Sequence, residues 1–218
     1  MSTITHITEH PRKPGRYVID VDGKQFAVVT ADALAATKAR IGVVVDHRLA
    51  AQLGEATELT SAYDRALNLL SFRARSAREL ERRLLQKGVT AERAARVIAK
   101  LRDAGLIDDA DFARQLARSK VSAGASRRRL HQELFKRGVS RDVADEAVDE
   151  VLEEENVDEV AVAERVARKR LPMLKGADAP TRRRRLYAFL ARRGHDTETI
   201  REVMDRVLDG EADASTTD

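Results

Sequence analysis

Residues Leu80–Leu101 read LERRLLQKGVTAERAARVIAKL, and the chain writes the same text twice more. Leu130–Val151 is LHQELFKRGVSRDVADEAVDEV and Leu186–Val207 is LYAFLARRGHDTETIREVMDRV. Anchored on Gly88, Gly138 and Gly194, the copies align without gaps. Leu80, Leu130 and Leu186 share one register position, as do Leu84, Leu134 and Leu190, then Lys87, Arg137 and Arg193. Leucines four apart lie on one helix face, so the segment before each glycine presents an apolar stripe to a neighbour. The glycine supplies the left-handed residue that ends that helix. Thr90, Ser140 and Asp196 are residues suited to cap the next helix, and Glu92, Asp142 and Glu198 offset its positive start. Each copy therefore predicts two helices joined by a tight turn, a geometry shared with helix-turn-helix proteins.

Working outward, each pair is preceded by another amphipathic helix, at 61–73, 109–121 and 158–171. Ser76 with Glu79 predicts a capping box, and Ser126 occupies the same slot. In the third copy the loop is longer, with Pro172, Gly176 and Pro180, and Asp178 or Thr181 is the candidate cap. The fold class that follows is mainly α. Three tandem three-helix repeats, at 60–107, 108–156 and 157–209, are expected to form an elongated array. Residues 16–58 differ. Tyr17, Ile19 and Val21 alternate with polar neighbours, Asp22-Gly23 supplies a turn, and Phe26, Val28 and Val29 follow, which predicts a β-hairpin. A short helix from Thr30 or Asp32, a further strand over 41–45 and a helical turn over 48–54 complete a small α/β cap that leans on the helices. Residues 1–15 and 210–218 are polar and expected to be disordered.

The chain of 218 residues has no cysteine, so neither disulfides nor thiolate metal sites are available. No stretch approaches the roughly 20 apolar residues of a membrane span, and a cytoplasmic protein is expected. The net charge of +4 conceals a division. Residues 1–60 balance seven basic against seven acidic side chains, whereas 61–210 carry 33 against 26. The middle helix of each repeat is the basic one, while Ser140–Glu155 holds one basic residue against eight acidic ones. The candidate binding residues are therefore Arg78, Arg82 and Lys87 in the first repeat, and Arg127, Arg128, Arg129, Lys136 and Arg137 in the second. In the third they are Arg182, Arg183, Arg184, Arg185, Arg192 and Arg193. Successive arginines repel one another and spread round the helix, so an anion should meet at least one side. Two sources are open: the phosphates of a partner, or the protein's own acidic third helices. Lys87 and its equivalents also suit the helix C-terminus with no partner at all.

Catalytic constellations are missing. There is no GxxxxGK[ST], no GxGxxG after a strand and no HExxH, and no two of the five histidines stand i, i+4 on one helix. The sequence predicts no enzyme, no metal and no cofactor.

The combination Leu106-Ile107-Asp108-Asp109, Phe112-Ala113-Arg114, Ser126-Arg127-Arg128, Glu133-Leu134 and Arg137-Gly138-Val139 resembles the RecX family of bacterial recombinase regulators. Ser76-Ala77-Arg78-Glu79-Leu80 with Leu84 and Lys87-Gly88-Val89 is similar to it as well, and the likeness spans about 60–208. The resemblance implies three tandem three-helix units and a monomer that binds the RecA recombinase filament in its groove. It further implies restraint of ATP hydrolysis and strand exchange in recombination, DNA repair and the SOS response, with sequence-independent contact to single- or double-stranded DNA. The competing expectations are a sequence-specific helix-turn-helix DNA-binding protein and a protein scaffold whose charges serve packing between units.

Overall fold

The computed structural model describes residues 2–174 and 176–214. Strands β1 (Ile4–Glu9), β2 (Arg16–Val21) and β3 (Lys24–Thr30) come first, followed by α1 (Ala31–Thr37) and α2 (His47–Phe72). Then come α3 (Ala77–Gln86), α4 (Ala91–Asp103), α5 (Asp109–Ser122), α6 (Arg127–Arg137) and α7 (Arg141–Glu154). The chain closes with α8 (Glu159–Arg170), a 3-10 turn at Leu171–Leu174, α9 (Ala179–Arg192) and α10 (Thr197–Ala214). Mainly helical, with three three-helix repeats and a small N-terminal sheet, the fold class is the one the triplication implied. Two compact units result: Met1–Ala74 with Leu80–Leu106, and Arg75–Glu79 with Ile107–Asp218.

In the first unit, Asp22 (φ 50°) and Gly23 (φ 76°) both adopt left-handed backbone, the turn that matches the twist of a two-residue hairpin. The sheet has a third strand that the expectation of disorder over 1–15 missed. β1 pairs antiparallel with β2, Ile7 opposite Ile19, giving the order β1-β2-β3. Ile4 and Ile7 stand three apart and would face opposite sides of a regular strand. A register shift between Ile4 and His6 places both against the core of Ile19, Val21, Ala27, Val29 and Leu53. That irregularity erased the period-2 signal from the sequence. Residues 41–45 form no strand and contribute one bridge, Val44 to Thr3. The helical turn expected at 48–54 and the helix expected from 61 are one element, α2. It packs on β3, where Thr57 Oγ1 accepts from Val28 N–H at 3.2 Å, and on α4, where Glu55 takes Arg93 at 2.7 Å and Arg96 at 2.9 Å.

In the second unit, α5, α6 and α7 enclose one core around Phe112, Ala117, Leu130, Leu134, Val148 and Val151. A second core, formed by α8, α9 and α10, centres on Ala163, Leu186, Leu190, Ile200, Val203 and Val207. The nine positions recurring in the three copies (Leu80, Leu84, Leu101, Leu130, Leu134, Val151, Leu186, Leu190 and Val207) are all at most 1% exposed. Asp178 caps α9, accepting from Thr181 N–H at 3.4 Å. Thr90 and Asp196 cap their helices as expected, at 3.4 and 2.8 Å, whereas Ser140 holds the N-cap position without a side-chain bond. Of the tail expected at 210–218, residues 210–214 continue α10, and 215–218 lie outside the described residues.

Successive middle helices meet end to start inside this unit. The buried Ser76 hydroxyl donates to the Arg137 carbonyl, and Ser126 N–H donates to the Arg193 carbonyl at 3.2 Å. Gly138 and Gly194 do more than end a helix. A Cβ on Gly138 would lie 2.8 Å from Arg78 Cβ, and one on Gly194 would lie 2.7 Å from Ser126 Oγ and 2.9 Å from Arg129 Cβ. Gly88 has only the first duty, since a Cβ there would meet nothing within 4 Å.

Candidate basic interface

Position along each middle helix decides what its cations do. Arg127 and Arg183 occupy equivalent slots and form surface ion pairs with the third helix of their own repeats, reaching Asp149 at 2.5 Å and Asp205 at 3.2 Å. Arg129 pairs with Glu133 at 2.5 Å, Lys136 stands 3.8 Å from the same carboxylate, and Arg137 stands 3.5 Å from Glu79. Glu79 also takes Arg75 at 2.7 Å, so one nearly buried carboxylate serves two guanidinium groups. Arg182 is half-buried and engaged. Arg114 and Arg118 of α5 reach Glu150 and Glu154 of α7, at 3.6 and 2.5 Å. The acidic third helix of the second repeat thus neutralises arginines of its own bundle.

The other candidates behave differently. Arg78, Arg128 and Arg184 share one slot, ten residues before the glycine; all three are exposed, and none has an ion pair among the described residues. Two residues from a buried leucine is about 200° round the helix, which directs the slot to solvent. Arg82, Lys87, Arg185 and Arg192 are likewise exposed and lack ion pairs among the described residues. Apolar side chains stand out on the same helices: Phe135 is 78% exposed, and Tyr187 and Leu85 are exposed too. Phe135 lies seven residues from Arg128, two turns along one face of α6.

Arg193 is the exception in burial. Its equivalent Arg137 finds Glu79, but the slot of Glu79 in the next repeat holds Arg129, which is already tied to Glu133. Arg193 instead lies 4.2 Å over the centre of the Phe189 ring, with Arg170 5.5 Å from the same ring. Burial, and then the neighbouring cations of Arg170 and Arg192, lower its pKa. Its Nε is buried without a hydrogen-bond partner. Around it opens a cleft of about 460 Å³ lined by Arg165, Lys169, Arg170, Met173 and Phe189. The α8 cations of this cleft were outside the sequence-derived set. The Arg168-Lys169-Arg170 run was the available signal, masked because a basic last turn reads first as a complement to the helix dipole. Within the run Arg168 is held by Glu164 at 2.7 Å.

Two histidines of the repeats make contacts within the fold. His131 sits 3.0 Å from Asp145 at the surface. His195 is buried with Nε2 3.3 Å from the Gly124 carbonyl, and burial lowers its pKa. Among the described residues no group of three His, Asp or Glu side chains could hold a metal, and no helix is long and apolar enough to cross a membrane.

Three family models match in tandem: the first three-helix domain of RecX over residues 62–101, the second over 108–148 and the third over 157–204. The chain is 34% identical over 153 residues to the regulatory protein RecX of Prosthecochloris aestuarii, covering 70% of this chain and 97% of that one. It is 30% identical over 205 residues to the regulatory protein RecX of Levilactobacillus brevis, covering 94% and 76%. A crystal structure of a regulatory protein RecX superposes with a TM-score of 0.72 at 23% identity, over 96% of this chain and all of the other, which is a likeness of fold. RecX from Lactobacillus salivarius superposes with a TM-score of 0.55 at 20% identity, over 69% and 96%.

Proposed function

The chain belongs to the RecX family, and from that premise we propose that it is a non-enzymatic, cytoplasmic regulator of a RecA recombinase. It binds the recombinase filament on DNA and restrains ATP turnover and strand exchange. One observation carries this reading beyond the family: the slot of Arg78, Arg128 and Arg184 is cationic, exposed and, among the described residues, without an ion pair in every repeat. A scaffold whose charges served internal packing would have paired these residues as it paired Arg127 and Arg183. Cations spaced through tandem units suit a partner that is itself periodic, because several weak contacts add through effective concentration. Contacts to phosphate oxygens would be sequence-independent and would weaken with salt. Interaction with the acidic surface of a protein would follow the same electrostatics.

The test is a titration of the protein into recombinase assembled on single-stranded DNA, read as ATP turnover and strand exchange. Inhibition at sub-stoichiometric to stoichiometric protein is expected. Unchanged turnover at excess protein refutes the reading. A strong preference for one duplex sequence over scrambled duplexes would point instead to helix-turn-helix base readout.

A further inference from the structure

The cleft in the third repeat holds a charge arrangement that its own residues do not resolve. Arg165, Lys169 and Arg170 come from α8 and Arg193 from the end of α9, and no carboxylate among the described residues pairs with any of them. The adjacent Glu164 is taken by Arg168 and Arg206, at 2.7 and 3.6 Å. Cations in the last turn of a helix complement its dipole. That accounts for a basic α8 terminus, but not for the return of α9 to place a half-buried guanidinium among the same charges. Among the described residues, the compensation Arg193 finds is the Phe189 ring. Its Nε has no acceptor, although a buried donor left unmade is costly. An anion with several oxygens would complete the set, and phosphate has the oxygens to engage two guanidinium groups at once.

The apolar lining narrows the choice. Met173 is 71% exposed at the rim, beside Phe189. About 460 Å³ is room for a phosphate with its sugar and base, not for the convex flank of a duplex. Basic side chains that track a backbone beside apolar and aromatic surface are the means by which single strands are held without sequence preference. We propose that this cleft is a nucleotide-sized site for single-stranded nucleic acid. One backbone phosphate is held by Arg170 and Arg193, Arg165 and Lys169 draw the flanking phosphates, and the base rests against Met173 and Phe189. The assignment rests on the DNA contact proposed above and adds a place and a strand preference to it.

The test uses the full chain, a labelled 30-residue oligothymidylate and a labelled duplex of arbitrary sequence, with affinity read by fluorescence anisotropy across a salt series. The variant is Arg165→Gln/Lys169→Gln/Arg170→Gln, with circular dichroism confirming the fold. A second variant, Met173→Ala, keeps every charge while removing the sulfur that accepts from Arg170 Nη1 at 3.1 Å. The triple variant is expected to lose at least tenfold in single-strand affinity while duplex affinity changes less than twofold, and its salt slope should fall by roughly 0.7 for each phosphate it no longer neutralises. Met173→Ala should lose threefold or more for the single strand only. If the unaltered protein binds the single strand and both variants match it, the cleft is not the site, although the DNA contact stands. Equal losses for single strand and duplex refute the strand preference. If the unaltered protein binds neither DNA, the contact and the site fall together. If thymidine monophosphate binds as tightly per site as the oligomer, the ligand is a free nucleotide and the polynucleotide assignment is overturned.

Discussion

Replacing the glycine of each repeat by alanine separates two roles that the sequence presents as one. All three positions have left-handed backbone, with φ of 81° at Gly88, 80° at Gly138 and 90° at Gly194. A side chain in that conformation costs about 1–2 kcal/mol at any of them. Gly88→Ala should cost only this, because its Cβ would enter open space. At Gly138 the new Cβ would stand 2.8 Å from both Cβ and Cδ of Arg78. Cδ belongs to a flexible chain, but Cβ is fixed to the α3 backbone, so the helix start must shift. At Gly194 the clash is with the buried Ser126 Oγ at 2.7 Å, Arg129 Cβ at 2.9 Å and the Arg129 amide at 3.2 Å, where nothing yields cheaply. Overpacking of this kind costs about 1–3 kcal/mol. The expected order of destabilisation is Gly88→Ala at about 1 kcal/mol, Gly138→Ala at about 2 and Gly194→Ala at about 3 or more, measured by urea unfolding followed by circular dichroism. Equal destabilisation at all three would refute the close approach of consecutive middle helices and reduce the glycines to turn residues.

Three further outcomes are expected. Arg78→Ala/Arg128→Ala/Arg184→Ala should weaken binding to the recombinase filament by tenfold or more in a pull-down or anisotropy titration, with stability unchanged within about 0.5 kcal/mol because none of the three holds an ion pair among the described residues. Glu79→Ala should cost about 3 kcal/mol in urea unfolding, since it leaves Arg75 and Arg137 without their shared carboxylate at a site where the Glu79 side chain is 10% exposed. His195 is buried with its pKa below the ordinary 6.5, so above that pH both folded and unfolded chains hold it neutral and its contribution is intact. As pH falls below 6.5 the unfolded chain takes the proton first and stability declines. His195→Val, the residue type of Val89 and Val139, should flatten the dependence of the melting temperature on pH between 7 and 5.

Much of this molecule was legible in one dimension. A period of fifty to fifty-six residues, leucines four apart, a glycine and a capping residue dictate local structure through backbone sterics and helix geometry alone, so the nine repeated apolar positions were recognisable as core. β1 escaped because a bulge broke its alternation, and the continuity of α2 escaped because the helix packs on both β3 and α4 and buries chiefly small and polar residues rather than one apolar stripe.

The binding surface was legible only as a supply of cations. Arg127 and Arg128 are neighbours of the same type, yet one is spent on Asp149 and the other faces solvent. Arg137 and Arg193 are register equivalents, yet one meets a carboxylate and the other an aromatic ring. Composition and spacing determined that the middle helices would be basic and which face would be buried. Whether Arg127, Arg183 and Arg137 found a carboxylate depended on Asp149, Asp205 and Glu79 of other helices, because electrostatic energy follows distance in space rather than distance along the chain.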